Sequence, residues 1–254
     1  ANRLREEMGS LPEKIDLDRQ LLKPYTASGR MYCYDSTEYV RDMGTPERYD
    51  TVCRDEKNGT VAARNYSNKQ KAIFLDRDGT INRHVGFISS PGEFELLPGV
   101  ARAIRRINES GYLAVVVTNQ PVVARGEVSF EGLREIHNKM ETELGKEGAY
   151  LDGIYYCPHH PDSGFEGEVP DLKFECECRK PRPGMLLSAA EDFNIDLSES
   201  WMIGDGDRDI GAGINGGCRT VLIGKGDFGQ DGTAASLEEA VEFVLNAVRR
   251  DEGL

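Results

Sequence analysis

From residue 67 onward, apolar and polar positions follow two alternating rhythms. Short apolar runs bounded by polar residues occur at Ala72–Asp76, Tyr112–Asn119, Gly153–Tyr156, Trp201–Gly204 and Thr220–Ile223. Runs of that length, closed by turn residues, predict buried strands. Between them, apolar residues recur at helical spacing. Gly99–Ser110 places Val100, Ile104 and Ile107 on one face. Ser129–Gly145 does the same with Leu133, Ile136, Met140 and Leu144, and Ser129 stands where it can cap the helix. Further helices are predicted at Gly184–Phe193, at Asp209–Asn215 and at Ser236–Arg249, the last with Leu237, Ala240, Val241, Val244 and Val248 inward. Strand and helix in alternation predict an α/β fold, a parallel sheet with helices on both faces.

Residues 1–66 read differently. Leu4–Glu7 and Ile15–Leu22 are weakly helical, and Tyr32–Tyr39 has a strand-like composition. Ser28-Gly29, Met43-Gly44-Thr45-Pro46 and Lys57-Asn58-Gly59 are turn signals. Too few apolar residues recur at any period for this part to bury a core of its own. The predicted division is therefore residues 1–66 and a main domain of residues 67–254.

Composition narrows the chemistry. The chain has 254 residues, 39% of them apolar, and a formal net charge of -13. That balance disfavours nucleic acid and membrane surfaces as partners and points to a small-molecule substrate. Its longest apolar stretch, Tyr112–Val117, is far too short to cross a bilayer. Residues 1–20 are charged and have no apolar centre of the signal-peptide kind, so the expected location is cytoplasmic.

The first strand ends in Asp76-Arg77-Asp78-Gly79-Thr80. Carboxylates at a buried strand end are costly unless a cation or a reaction uses them. Thr118-Asn119-Gln120 closes the second strand, Arg179-Lys180-Pro181 precedes a helix, and Gly204-Asp205-Gly206-Asp207-Arg208-Asp209 closes a further strand. Each alone also fits ordinary turn or surface chemistry. In a parallel sheet, however, these ends share one edge. The inventory suits phosphoryl transfer to a carboxylate. Asp76 is ionised without help and can act as nucleophile. Mg²⁺ held by Asp76, Asp205 and a backbone carbonyl would screen its charge from the phosphate. Lys180 and the Thr118 hydroxyl would hold the phosphoryl oxygens. Asp78 can protonate the leaving oxygen and then activate water.

A second cluster follows the third predicted strand. Cys157, His159, Cys176 and Cys178 form a Cys₃His set suited to a tetrahedral Zn²⁺, and with four protein ligands the site would be structural. The loop between them is acidic and poor in apolar residues, so zinc would supply its order. A redox pair or unrelated thiols are the alternative. His160 is spare, fitting a surface histidine or one beside the ligands. Cys33, Cys53 and Cys218 have no ligand spacing.

Asp76-x-Asp78-Gly79-Thr80, Thr118-Asn119, Lys180-Pro181 and Gly204-Asp205-x-x-x-Asp209 resemble the four motifs of the haloacid dehalogenase superfamily of phosphatases. The resemblance spans roughly residues 69–250. It implies a Rossmann-like fold, Mg²⁺ on Asp76, the Asp78 carbonyl and Asp205, and a supporting role for Asp209 beside Lys180 or the metal's water shell. Tyr155-Tyr156-Cys157-Pro158-His159-His160-Pro161 and Cys178-Arg179-Lys180-Pro181-x-Pro183-Gly184-Met185-Leu186-Leu187 are similar to the D-glycero-D-manno-heptose 1,7-bisphosphate phosphatases and their histidinol-phosphate phosphatase relatives, which carry a zinc loop in place of a large cap. That likeness implies sugar-phosphate contacts from His84, Val85, Gly86, Phe87, Thr118, Asn119, Gln120 and Pro121, with Arg179 at the distal part of the substrate. The family's Ser-Gly after Thr-Asn-Gln is Pro121-Val122 here, which removes a backbone donor and a flexible residue. The implied reaction is removal of the 7-phosphate from a heptose 1,7-bisphosphate, with histidinol phosphate as the alternative substrate. A non-catalytic zinc scaffold or sugar-phosphate-binding module is the reading from another class.

Residues Glu38–Tyr49, with Asp42 before Gly44-Thr45-Pro46, resemble the end of the catalytic domain of sugar-1-phosphate nucleotidyltransferases. The likeness implies that residues 1–66 are the tail of such a domain plus a linker, with the missing transferase half as a partner. The alternative is a plain linker whose Thr-Pro-Glu opens a helix.

Overall fold

The computed structural model describes residues 16–26, 36 and 38–251. It divides into two compact units, Ala1–Ser36 and Thr37–Leu254. In the first, Leu17–Leu22 is a π-helical stretch capped by Asp16, whose carboxylate accepts from the Arg19 amide at 2.9 Å, and Lys23–Thr26 adds one α turn. The predicted Leu4–Glu7 helix, most of the Tyr32–Tyr39 strand and Cys33 lie outside the described residues; Ser36, Glu38 and Tyr39 are not in a strand.

The second unit opens with helix α1, Pro46–Lys57. Thr45 caps it by accepting from the Arg48 amide, and Pro46 sits in the first turn, so the Thr-Pro-Glu signal does open a helix. None of its residues is buried. This segment is pinned through Arg64. Its guanidinium donates to Asp152 at 2.5 Å, both side chains are nearly buried, and Asp152 in turn accepts from the Ala114 amide at 2.7 Å.

Then come β1 (Ala72–Leu75), α2 (Val100–Glu109), β2 (Leu113–Asn119), α3 (Phe130–Lys146), β3 (Gly153–Cys157), α4 (Gly184–Asp192), β4 (Trp201–Gly204), α5 (Asp207–Gly216), β5 (Arg219–Ile223), β6 (Gly232–Ala234) and α6 (Leu237–Asp251). Each strand and helix predicted from residue 67 onward is present with its ends shifted by a few residues. Strand β6 was not predicted; Gly-Thr-Ala is too short and too polar to stand out. Ser129 caps α3 by accepting from the Gly132 amide at 3.0 Å.

The sheet is wholly parallel, in the order β3-β2-β1-β4-β5-β6. Alternate residues of each strand point to opposite faces. Ile73, Leu75, Ala114, Val116, Trp201, Ile203 and Val221 pack with Ile104 and Ile107 of α2, Leu133, Ile136, Met140 and Leu144 of α3 and Leu237, Ala240, Val241 and Val244 of α6. The Val248 side chain lies outside the description. Ala72, Phe74, Leu113, Val115, Val117 and Met202 pack on the other face with Met185, Leu186 and Ala189 of α4 and Ala212 of α5. Helices therefore cover both faces of an open Rossmann-like sheet. The connections from β1 to α2 and from β3 to α4 are loops, not a folded cap.

The strand order reverses at β1, whose neighbours are β2 and β4. A crevice opens outside the carboxyl ends of strands at such a point, and that is where open α/β sheets bind ligands. Among the described residues, no helix is long and apolar enough to cross a membrane.

Candidate active site

Strand β1 delivers Asp76 to the crevice. The Asp76 amide donates to Ile203 of β4 at 3.0 Å, which fixes the strand end. The chain then turns through Gly79 at φ +90°, where a Cβ would run into the Asp205 carboxylate. Only glycine allows Asp205 to approach so closely. Asp205 and Asp209 come from the end of β4 and the first turn of α5.

One oxygen from each of Asp76, Asp205 and Asp209 lies within 4.8 Å of the others. Lys180 is the buried cation among them. Its Nζ lies 2.6 Å from Asp76 and 2.6 Å from Asp209 and donates to the Val117 carbonyl at 2.7 Å, which uses all three donors. Asn119 clasps the backbone of Lys180, accepting from its amide at 3.0 Å and donating to its carbonyl at 3.1 Å. Burial pushes the pKa of Asp76 up to about 7; Lys180 opposes this, and Asp209 and Asp78 reinforce it. Burial, then Asp209, also raises that of Asp205. Burial alone would lower that of Lys180, but Asp209 and Asp76 outweigh it and hold the ammonium charged. Three carboxylates share one ammonium, so negative charge is in excess. Hard oxygen donors with uncompensated charge fit a divalent cation such as Mg²⁺.

Asp78 turns to a different set of partners. Arg77 forks onto it, Nη2 lying 2.9 Å from both carboxylate oxygens. Gln120 Nε2 donates to Asp78 Oδ2 and to the Thr118 hydroxyl, both at 2.8 Å, and Asn82 donates to Oδ1 at 3.1 Å.

Asp76, Asp78, Thr118, Lys180, Asp205 and Asp209 line a cleft of about 580 Å³. Of the residues implied as sugar contacts, His84, Gly86, Phe87, Thr118, Asn119, Pro121 and Arg179 line it. Val85 and Gln120 do not: Val85 is exposed, and Gln120 is buried with its amide spent on Asp78 and Thr118. Pro121 and Val122 leave the loop well packed. Val122 is buried in the core, and the Arg125 amide donates to the Pro121 carbonyl at 3.0 Å.

Sequence reasoning missed Arg125 and Arg208, which also line the cleft. The Arg125 guanidinium sits 4.4 Å from the ring centres of both Phe87 and Phe165, and its buried Nε has no hydrogen-bond partner among the described residues. Arg208 is exposed and close enough to Arg179 to help lower that residue's pKa, after the larger effect of burial. A lone cation on a loop and another in a helix's first turn leave no periodic trace, so pattern reading could not group them.

The zinc-type cluster is assembled. Sγ of Cys176 lies 3.4 Å from that of Cys157 and 3.2 Å from that of Cys178, and His159 Nδ1 lies 3.3 Å from Cys178 Sγ. All four donor atoms lie within 4.8 Å of one another, and the cysteines are free thiols. Burial raises the pKa of Cys176, and the Cys157 contact, then burial, raises that of Cys178. Three thiols and an imidazole at this spacing suit a soft tetrahedral ion. His160 is not in this group and is not a surface residue. It is buried, its Nε2 is 3.4 Å from Arg125, and its ring stands edge-on to Phe165. Cys53 and Cys218 are free thiols outside the cluster. The Asp42 carboxylate is exposed and is held by Arg48 and the Gly44 amide.

A family model described as HAD-hydrolase-like matches residues 177–250. D-glycero-beta-D-manno-heptose-1,7-bisphosphate 7-phosphatase of Yersinia pestis is 41% identical over 177 residues, covering 70% of this chain and 90% of that protein. The Salmonella typhi protein of the same name is 43% identical over 182 residues, at 70% and 90% coverage. Among solved structures, D,D-heptose 1,7-bisphosphate phosphatase from B. bronchiseptica, complexed with magnesium and phosphate, is 34% identical with a TM-score of 0.61 and covers 70% of this chain and 99% of its own. A putative HAD-like phosphatase from Mesorhizobium loti is 30% identical with a TM-score of 0.62, covering 71% and 88%.

Proposed function

The chain belongs to the haloacid dehalogenase-like phosphatases, and from that premise we propose that it hydrolyses the 7-phosphate of D-glycero-D-manno-heptose 1,7-bisphosphate. The observation that carries this reading is the pairing of a buried Asp76–Lys180–Asp209 set with three arginines in one cleft. The first suits phosphoryl transfer, and the second suits a substrate with another anionic group. A net charge of -13 makes such a local cationic patch informative.

In this reading Asp76 is the nucleophile. Its carboxylate oxygen forms a bond to phosphorus as the bond to the ester oxygen breaks. Asp78 supplies the proton that the leaving oxygen takes. Asp78 then accepts a proton from water, whose oxygen attacks phosphorus and frees Asp76. Lys180 and the Thr118 hydroxyl hold phosphoryl oxygens in place. Mg²⁺, held by Asp76, Asp205 and the Asp78 carbonyl, supplies charge neutralisation when bound. Asp209 supports Lys180, and Arg125, Arg179 and Arg208 receive the second phosphate. Zn²⁺ held by Cys157, His159, Cys176 and Cys178 keeps the loop that carries Arg179, whose guanidinium already rests 3.2 Å from the His159 carbonyl.

The same reading gives residues 1–66 a nucleotidyltransferase ancestry and residues 67–254 the phosphatase. The product, a heptose 1-phosphate, is what a sugar-1-phosphate nucleotidyltransferase consumes, and such an enzyme is the proposed partner, in the cytoplasm. The likeness of Glu38–Tyr49 supports this.

Phosphate release from both anomers of the bisphosphate, with Mg²⁺ supplied and histidinol phosphate as comparison, tests the assignment. A bisphosphate preference of at least about a hundredfold in kcat/KM is expected for a site that meets the second phosphate with three arginines. Turnover no better than that of histidinol phosphate would overturn it.

A further inference from the structure

Arg77 is one of the largest fully buried side chains in the protein, 1% exposed, and it does not line the cleft. A buried guanidinium is costly unless its donors and charge are met. Asp78 meets them. Arg77 Nε lies 3.2 Å from Oδ1, and Nη2 lies 2.9 Å from each oxygen. The remaining arm, Nη1, lies 3.3 Å from His137 Nε2. His137 is itself buried on α3, and its ring packs against Tyr156 of β3 with centres 5.6 Å apart. The guanidinium is therefore held at one end by a rigid helix and grips the carboxylate at the other. Asn82 and Gln120 complete the hold on Asp78. Only one-fifth of the Asp78 side chain stays accessible, and Asp78 lines the cleft beside Asp76.

We infer that Arg77, braced by His137, is a positioning residue that fixes the Asp78 carboxyl plane for proton transfer to the leaving oxygen. This rests on the reading above that Asp78 is the proton donor. The fork explains why an arginine occupies the position: a lysine offers one point of charge and cannot fix a plane. Its neighbours exclude a phosphate-binding role, since no face of Arg77 reaches the cleft.

The step has a clear signature. As the Asp76–phosphorus bond forms, the ester oxygen leaves with the bonding pair and takes the Asp78 proton. An alkyl or sugar alkoxide needs that proton, whereas p-nitrophenolate does not. The constant kcat/KM reports events up to leaving-group departure, so it isolates this step. The heptose bisphosphate and p-nitrophenyl phosphate are compared for wild type, Asp78→Asn, Arg77→Lys and His137→Leu, each checked for fold by circular dichroism and thermal melting. Asp78→Asn is expected to lose roughly 10²–10⁴-fold on the sugar ester and far less on the aryl ester. Arg77→Lys is expected to show the same split at roughly ten- to a hundredfold, and His137→Leu a smaller split in the same direction. If Asp78→Asn lowers both esters equally, the underlying reading fails. If Asp78→Asn splits them and Arg77→Lys lowers both equally, the positioning role is overturned. Should Arg77→Lys not fold, His137→Leu decides in the same way.

Discussion

Lys180 and Asp76 are 104 positions apart, yet they meet at 2.6 Å in the interior. The contact joins the end of β1 to the loop that follows the cysteine cluster. It also makes catalysis and stability depend on the same ammonium. Lys180→Met leaves the Asp76 and Asp209 carboxylates buried without a cation. Breaking a buried pair from one side costs about 3–5 kcal/mol, and losing a donor to the phosphoryl group costs roughly 10²–10³ in rate. Asp209→Asn keeps the Lys180–Asp76 contact, so its thermal shift is expected to be the smaller of the two. Melting curves and phosphate release on both variants check this; equal melting temperatures would contradict it.

His137 supplies a pH dependence of stability. Burial first, and the Arg77 charge second, lower its pKa to about 4, with Asp78 opposing. The Tyr156 ring is its other close neighbour. The unfolded chain takes up this proton near pH 6.5, whereas the native chain does not until about pH 4. Between those values the unfolded state binds more protons, so stability falls as pH falls through the window. The His137 contribution to that loss is roughly 3 kcal/mol at most. Denaturant midpoints from pH 7 to 4 are expected to fall more steeply for wild type than for His137→Leu. Parallel curves would show that the histidine does not titrate this way.

Metal removal separates the loop from the carboxylates. Cys178→Ser, or a strong chelator followed by Mg²⁺ alone, is expected to release about one zinc per chain, the complement of one tetrahedral site. Arg179 then loses its rest on the His159 carbonyl. The expected result is a KM for the bisphosphate raised about tenfold, near 1.4 kcal/mol of binding, with kcat changed less. Elemental analysis and steady-state kinetics give both numbers. A protein that is zinc-free as isolated and fully active would remove the structural role.

The parts of this site that could be read from sequence are those announced by a change of pattern. Ala72–Leu75 is a fully buried run that stops at Asp76, so the strand and the carboxylate are visible together. Trp201–Gly204 ends at Asp205 in the same way. The cysteines and His159 were legible because thiol and imidazole spacing is chemically narrow. Arg77 was not legible. It is the unspecified middle of Asp-x-Asp, and its value comes from His137, 60 residues away on a helix whose apolar stripe explains itself without it. Arg125 gains its place only because two loops meet: a Cβ on Gly126 would run into the Gly167 carbonyl, and Phe165 comes with that loop. Helix α1 was visible as a cap signal but buries no residue, so no periodicity marked its length.

Residues 38–66 bury no helical stripe, so other contacts hold them. Tyr66 contributes a ring contact with Phe193 and a carbonyl that accepts from Asn194, and Arg64 is the charged anchor. Its guanidinium meets Asp152 at 2.5 Å and Tyr150 at 3.3 Å, and Asp152 bridges onward to the Ala114 amide at the start of β2. Burial raises the pKa of Asp152, and Arg64 and the Ala114 amide pull it back. Either partner alone is therefore a liability. Arg64→Met strands a buried carboxylate and Asp152→Asn a buried guanidinium, each at about 3–5 kcal/mol. Replacing both removes the stranded charges together, so the double variant is expected to cost less than the sum of the singles, with a coupling of roughly 0.5–3 kcal/mol. Hydrogen exchange should report where the loss falls: faster exchange in α1 and the turn at Thr60–Ala63 for the Arg64 variant, with β1 and β4 unchanged. Strict additivity in the double-mutant cycle would mean that the pair does not anchor the segment.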